Sequence, residues 1–316
     1  MAMNTVQFQK GLSMVEFLDR YGREEQCERA VIESRWPRGF VCPACEGTRS
    51  RSFRRGGLQY WECLACGHQC SLISGTVFEA TKLELTRWFL AMHLLTQAKN
   101  GVSALELKRH LGVCYKTALL LKHKLMEVMR LREEPRQLTG RVEIDDAYLG
   151  GERPGGKPGR GSENKVPFIA AVQTTESGQP VLCCLAQAPF TTAAVENFAA
   201  KSLARPVTVV SDGLGCFGVL ADLGIVHRRI VTGGGSASVK LPQFTAVNTL
   251  LGNLKTAING TYHALDFAKY AHRYLGAVQY LFNRRFDLRA ILRRLLVAAA
   301  ATPPRPRRVL RAGALR

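Results

Sequence analysis

Apolar residues recur at helical spacing through the first 130 or so positions of the chain and then switch to the alternation of strands. Residues 12–35 read as helix with a break at Tyr21-Gly22, closed by Trp36-Pro37-Arg38-Gly39. Leu85, Trp88, Phe89, Met92, Leu95 and Thr96 make one stripe on a helix over 82–99, which Asn100-Gly101 stops. Ser103 caps a helix over 103–111, and the short turn Gly112-Val113-Cys114 leads to another over 115–129. That outline is a helix-turn-helix, although a plain helical hairpin has the same periodicity. From Gly140 onward, strands are predicted over 141–148, 166–174 and 180–185, then a helix over 191–203. Strands over 207–211 and 226–231 follow, then helices over 244–258 and 267–284. Three successive strands followed by alternating helix and strand predict a mixed sheet with helices on its faces. The chain thus reads as multidomain, mainly α at first and α/β afterwards.

Cysteine spacing adds a further module. Cys42-Pro43-Ala44-Cys45 and Cys63-Leu64-Ala65-Cys66 are two Cys-x2-Cys knuckles separated by 17 residues, a spacing suited to four-thiolate Zn2+. The intervening Arg49, Arg51, Arg54, Arg55, Tyr60 and Trp61 suit a basic β-ribbon. Four thiolates leave no open coordination position, so this zinc is expected to be structural. Cys70 lies close behind but breaks the knuckle spacing. Ten cysteines with no apolar leader argue against a disulfide framework, and Cys27, Cys114, Cys183, Cys184 and Cys216 read as buried thiols.

Charge narrows the partner. The formal net charge is +19, from 44 Lys and Arg against 25 Asp and Glu, and such a field attracts phosphate backbones. No apolar run approaches the ~18 residues of a membrane helix, so a cytoplasmic protein without membrane contact is expected. Lys116, Lys122 and Lys124 on the second helix of the helix-turn-helix are candidates for major-groove contact. The stretch 150–165 holds six glycines and Arg153, Lys157, Arg160 and Lys165. It lacks the Gly-Lys-Ser/Thr ending of a nucleotide loop, which argues against ATP, and it can equally be a basic loop on DNA or a solvated connection. Arg284 and Arg285 on the last long helix are further candidates for a DNA groove. The tail from Thr302 carries five arginines and no acid, a composition that predicts disorder.

Candidate chemistry gathers in three places. Asp145 lies in Val142-Glu143-Ile144-Asp145-Asp146-Ala147-Tyr148, and Asp212 ends Val207-Thr208-Val209-Val210-Ser211-Asp212-Gly213. The helix Val247-Asn248-Thr249-Leu250-Leu251-Gly252-Asn253-Leu254-Lys255 places Asn248 and Lys255 seven residues apart, hence on one face. Two carboxylates, an amide and an ammonium are what divalent-metal phosphoryl transfer requires: oxygen ligands for the cations and a point charge for a phosphate. Each aspartate alone would be an ordinary turn residue. His263 in Gly260-Thr261-Tyr262-His263 can contact a scissile phosphate or simply cap a helix turn. Strand alternation separates Glu143, Asp145 and Ala147 from Val142, Ile144 and Asp146, but a strand buried on both faces leaves Asp145 and Asp146 both open.

These strings, Glu143 to Gly151, Ser211-Asp212-Gly213, Val247 to Lys255 and Gly260 to His263, resemble bacterial insertion-sequence transposases of the DDE type with an N-terminal zinc ribbon. The resemblance spans about Trp36 to about Arg285, in the branch where Asn follows two Asp and Lys follows Asn. It implies a ribonuclease-H-like catalytic domain, Asp145 in preference to Asp146, and catalytic Asp145, Asp212, Asn248 and Lys255. It also implies Mg2+ (or Mn2+) at Asp145, Asp212 and Asn248, double-stranded DNA as element ends and target, and a homodimer or higher synaptic assembly. The expected organisation is a helical segment (1–36), zinc ribbon (37–76), helix-turn-helix (82–133), catalytic domain (137–290) and basic tail (291–316). An inactive transposase or zinc-ribbon regulator would explain the charge and ribbon while leaving the Asp, Asp, Asn and Lys set without purpose. A nuclease of the same fold would cut without joining.

Overall fold

A computed structural model describes residues 6, 8–150, 165–231, 241–261 and 266–312. The chain divides into two compact units, Met1–Val128 with Phe286–Arg311, and Met129–Arg285 with Ala312–Arg316. Among the described residues no helix is long and apolar enough to cross a membrane.

The first unit opens with α1 (Met14–Tyr21) and α2 (Glu24–Arg35), broken at Gly22 as the pattern predicts. Ser13 caps α1 through a capping box with Glu16, satisfying two backbone donors that a helix start leaves orphaned. A three-stranded antiparallel ribbon follows: β1 (Ser50–Arg55), β2 (Leu58–Cys63) and β3 (Gln69–Ser71). Then come α3 (Leu85–Gln97), α4 (Ala104–Leu111) and α5 (Tyr115–Glu133), the last running past the unit's end. Ser103 caps α4, and Gly112 ends it in the left-handed conformation at φ 61°, where a side chain would be strained.

The described part of the expected basic tail, 291–312, contains helix instead. Residues Ile291–Ala301 form a helix that buries Ile291, Leu292, Leu295, Leu296 and Ala299 and packs on α2 and α3. Its apolar positions follow helical spacing, a signal that the arginine-rich composition beyond Thr302 masks. Leu310, on the short helix Arg307–Arg311, is also buried. Phe286–Arg311 therefore groups with Met1–Val128 in one unit.

The second unit is built on a five-stranded sheet of β4 (Leu138–Leu149), β5 (Val166–Thr174), β6 (Pro180–Gln187), β7 (Leu203–Ser211) and β8 (Val226–Arg229). The spatial order is β6-β5-β4-β7-β8, with β5 antiparallel to both neighbours and β4, β7 and β8 mutually parallel. An antiparallel meander of three strands continued by parallel strands is the ribonuclease-H-like arrangement. Helix α6 (Thr192–Ser202), capped by Thr191, and a short α7 (Val219–Asp222) supply the crossovers. They cover one face, where Val142, Ile144, Ile169, Ala171, Val207 and Val209 meet Val195, Phe198 and Leu220. Helices α8 (Thr245–Thr261) and α9 (Phe267–Phe282) cover the other. There Ala147, Phe168, Ala170, Val172 and Val210 pack on Val247, Leu250, Leu254, Ile258 and Leu275.

Candidate active site

The parallel pairing of β4 with β7 matches Glu143 to Val210 and Ile144 to Ser211. One step further lie Asp145 and Asp212, at the carboxyl end of β7, where α/β sheets present their ligand sites. Asp145, Asp146 and Asp212 each offer a carboxylate oxygen within 4.8 Å of the others. Such convergence of like charge is costly unless a cation neutralises it, and hard oxygen donors suit Mg2+, Mn2+ or Ca2+. Asp212 Oδ1 also accepts the Leu214 backbone N–H at 3.0 Å, holding the turn after β7.

The packing separates the adjacent aspartates in a way the strand pattern could not. Ala147 and Val210 belong to the cluster under α8, whereas Val142, Ile144 and Val209 belong to the cluster under α6. Residues two apart on β4 share a face, so Asp145 follows Ala147 on the α8 side and Asp146 follows Ile144 on the α6 side, while oxygens of both come together with one from Asp212, just past the end of β7. Helix α8 buries Ala246, Val247, Leu250, Leu251, Leu254 and Ile258 against β4 and β5. Asn248 is half-buried at the margin of that stripe and Lys255 is exposed two turns later on the same flank.

A residue given no role by its sequence holds this arrangement. Glu143 is 1% exposed. Its Oε2 accepts the backbone N–H groups of Ala246 at 2.9 Å and Val247 at 3.0 Å, while Oε1 accepts from Arg141 at 2.7 Å. Arg141 also donates to Thr174 Oγ1 and the Gln243 carbonyl. The available signal was an acid inside an apolar strand, on the same face as Asp145. Beside Asp212, Ser211 Oγ lies 2.8 Å from His227 Nε2, so His227 ties β8 to the end of β7.

In the first unit, the sulfurs of Cys42, Cys45, Cys63 and Cys66 lie within 4.8 Å of one another. Cys42 Sγ is 3.7 Å from Cys66 Sγ, and Cys45 Sγ is 3.6 Å from Cys63 Sγ. Thiolates at about 2.3 Å from a tetrahedral ion stand about 3.8 Å apart, so the group fits a metal and is too open for disulfides. Gly47 packs closely on this group: a Cβ would stand 3.2 Å from Cys63 Sγ and 3.3 Å from Cys45 Sγ, so the sulfurs would have to shift by a few tenths of an ångström. Backbone N–H groups of Ala65 and Cys66 pull the Cys63 thiol down to about 7. Cys70 is buried outside the group.

The candidate DNA contacts divide. Lys116 is exposed at the start of α5. Lys124 is half-buried, donating to the Val77 carbonyl at 3.0 Å. Lys122 is 1% exposed, which removes it from any groove-facing surface; the helix turns it inward. Arg284 and Arg285 are likewise structural. Arg284 is buried, pairs with Glu133 and lies over the Tyr280 ring at 3.6 Å. Arg285 donates to the carbonyls of Pro180, Val181 and Phe282, and burial lowers its guanidinium to about 10. Charge and helix position drew attention to both, but neither reveals that a carboxylate or a row of carbonyls stands opposite. Arg160, the basic loop around it and His263 lie outside the described residues.

Comparison with known proteins bears on both centres. Residues 137–283 match the ISXO2-like transposase domain, and residues 22–69 match the transposase zinc-ribbon domain. A protein of Halobacterium salinarum described as an uncharacterized protein in transposable element ISH50 is 26% identical over 230 residues. That alignment covers 67% of this chain and 74% of the other.

Proposed function

Because the chain belongs to the insertion-sequence transposases that join a zinc ribbon to a DDE domain, we propose that it is a DNA transposase that binds the element's terminal inverted repeats, cuts the ends and joins them to target DNA. What supports this reading is the convergence of Asp145, Asp146 and Asp212, each offering a carboxylate oxygen within 4.8 Å of the others. Asp145 and Asp212 would hold divalent cations, Mg2+ or Mn2+, with Asn248 adding an amide oxygen. When bound, the cations activate the attacking oxygen and relieve charge on the leaving one. Asp145 and Asp212, standing on neighbouring strands, keep their oxygens fixed relative to one another through the ladder. Lys255 anchors a backbone phosphate as a point charge, and Asn248 on the same flank orients the oxygen nucleophile. In cutting, water attacks phosphorus and the 3′-oxygen leaves; in joining, that 3′-hydroxyl attacks a target phosphodiester in line.

The zinc ribbon, with its exposed arginines, and Lys116 would hold the DNA, the zinc serving structure alone. Joining two ends in one event requires a dimer or larger synaptic complex. The test is strand transfer with terminal-repeat DNA and Mg2+ by wild type, Asp145→Ala and Asp212→Ala. Joined products from wild type alone support the reading, and equal activity in all three defeats it. Cut but unjoined ends would identify a nuclease, and binding without either product a regulator.

A further inference from the structure

We infer that Glu143 is a positioning residue that locks the phase of α8 against β4 and so sets Asn248 opposite Asp145; this rests on the transposase reading of the same site. Helix starts leave backbone N–H groups without intrahelical partners, and a side chain just before the helix usually accepts them. The helical run begins with a 3-10 turn at Pro242–Phe244, and its capping position, Leu241, has no side-chain acceptor. Glu143, 103 and 104 residues away in sequence, accepts from Ala246 and Val247 instead. Those two residues immediately precede Asn248, and Glu143 stands two residues before Asp145 on the same face of β4. One buried carboxylate thus connects the strand carrying the first aspartate to the helix carrying the amide. Its negative charge suits the positive end of the α8 dipole, and Arg141 fixes the second oxygen. Arg141 in turn reaches the Gln243 carbonyl just upstream of α8, so both sides of the helix entry are tied to β4.

Glu143 touches no reacting atom in this account. Its effect passes through Asn248, and the test must show that route. Wild type, Glu143→Gln, Glu143→Asp, Asn248→Ala and the double variant Glu143→Gln/Asn248→Ala are titrated with Mn2+, free ion being read by electron paramagnetic resonance. The same proteins are assayed for cleavage of terminal-repeat DNA. Glutamine keeps the shape but cannot accept on both sides, and aspartate keeps the charge but shortens the reach. Each single variant is expected to weaken Mn2+ binding by about tenfold or more, the scale on which a residue supporting a ligand acts. Cleavage falls by up to about a hundredfold, as for an ångström-scale misplacement. The double variant is expected to be no weaker than Asn248→Ala alone, because both changes disable one element. DNA affinity and the thermal midpoint of Glu143→Asp serve as folding controls. Wild-type Mn2+ affinity in a folded Glu143→Gln or Glu143→Asp protein overturns the inference, as do losses that multiply in the double variant. Mn2+ binding that depends on Glu143, without strand transfer by wild type, overturns the transposase reading and leaves this one standing.

Discussion

Ile144 pairs with Ser211 in the parallel ladder between β4 and β7, and that pairing sets Asp145 beside Asp212 one step further along both strands. The adjacent Asp146 is near enough to offer an oxygen to the same group, yet the pleat assigns it to the α6 face. Asp145→Ala and Asp212→Ala are therefore expected to lower metal-dependent DNA cleavage by roughly a thousandfold or more, the scale of losing a cation ligand. Asp146→Ala is expected to lose about tenfold or less. Cleavage rates at saturating Mg2+ check this, and a loss in Asp146→Ala as large as in Asp145→Ala would reverse the assignment.

Lys122 gives a prediction about stability. Burial, partly offset by Glu106, lowers its ammonium from 10.5 to about 7. Between those values the unfolded chain holds the proton that the folded chain releases. Stability from this site therefore rises with pH from about 7 to 10.5 and is lowest below 7. Lys122→Met is expected to raise the thermal midpoint more at pH 6 than at pH 9, without weakening DNA binding. Lys116→Ala should weaken DNA binding and reduce the salt slope of the affinity by about one.

Thiol reactivity distinguishes the two knuckles. In metal-free protein, Cys63 at about 7 is expected to react with iodoacetamide at neutral pH ahead of Cys45 once the ribbon opens enough to expose its buried sulfur. For Cys45 the backbone N–H of Gly47 pulls down, but hydrogen bonds with Cys66 and Cys63 prevail and push it up to about 12. Peptide mass mapping after brief alkylation should find Cys63 modified and Cys45 spared. Added Zn2+ should protect all four, and acidification through pH 7 should weaken metal retention as the Cys63 thiolate is protonated.

Glu133 holds together the end of α5 and the end of α9. It accepts from Arg284, from Arg136 at 2.8 Å and from Asn283 at 2.7 Å, all within the second unit. Glu133→Ala strands a buried guanidinium and is expected to cost about 3–5 kcal/mol by denaturant unfolding. Arg284→Met leaves Glu133 two partners and should cost less. If the Arg284→Met protein, while folded, loses DNA affinity as strongly as Lys116→Ala, the structural role assigned to Arg284 is wrong.

Most helices and strands were legible because their signals are local. The break at Gly22, the cap at Ser103 and strand Val166–Thr174 are encoded within a few residues of where they occur. The thiol group was legible for the same reason: each knuckle is a short loop, and the ribbon hairpin brings the two together. Asn248 and Lys255 were placed on one flank by helical period alone.

What escaped the sequence depends on partners that arrive from far away. Nothing near Lys122 or Arg284 distinguishes an inward from an outward cation, since burial is set by whichever element packs opposite. The helix Ile291–Ala301 carries a local apolar stripe, but only its packing on the distant α2 and α3 shows that the stripe is buried. Glu143 looked like one more acid in a strand until α8 brought its unsatisfied N–H groups to it. Sequence spacing dictates periodicity, caps and knuckles because those follow from short-range geometry. Only the tertiary fold decides the β4–β7 register, the side of the sheet each aspartate takes and the partner of each buried charge, because those energies exist only once distant segments meet.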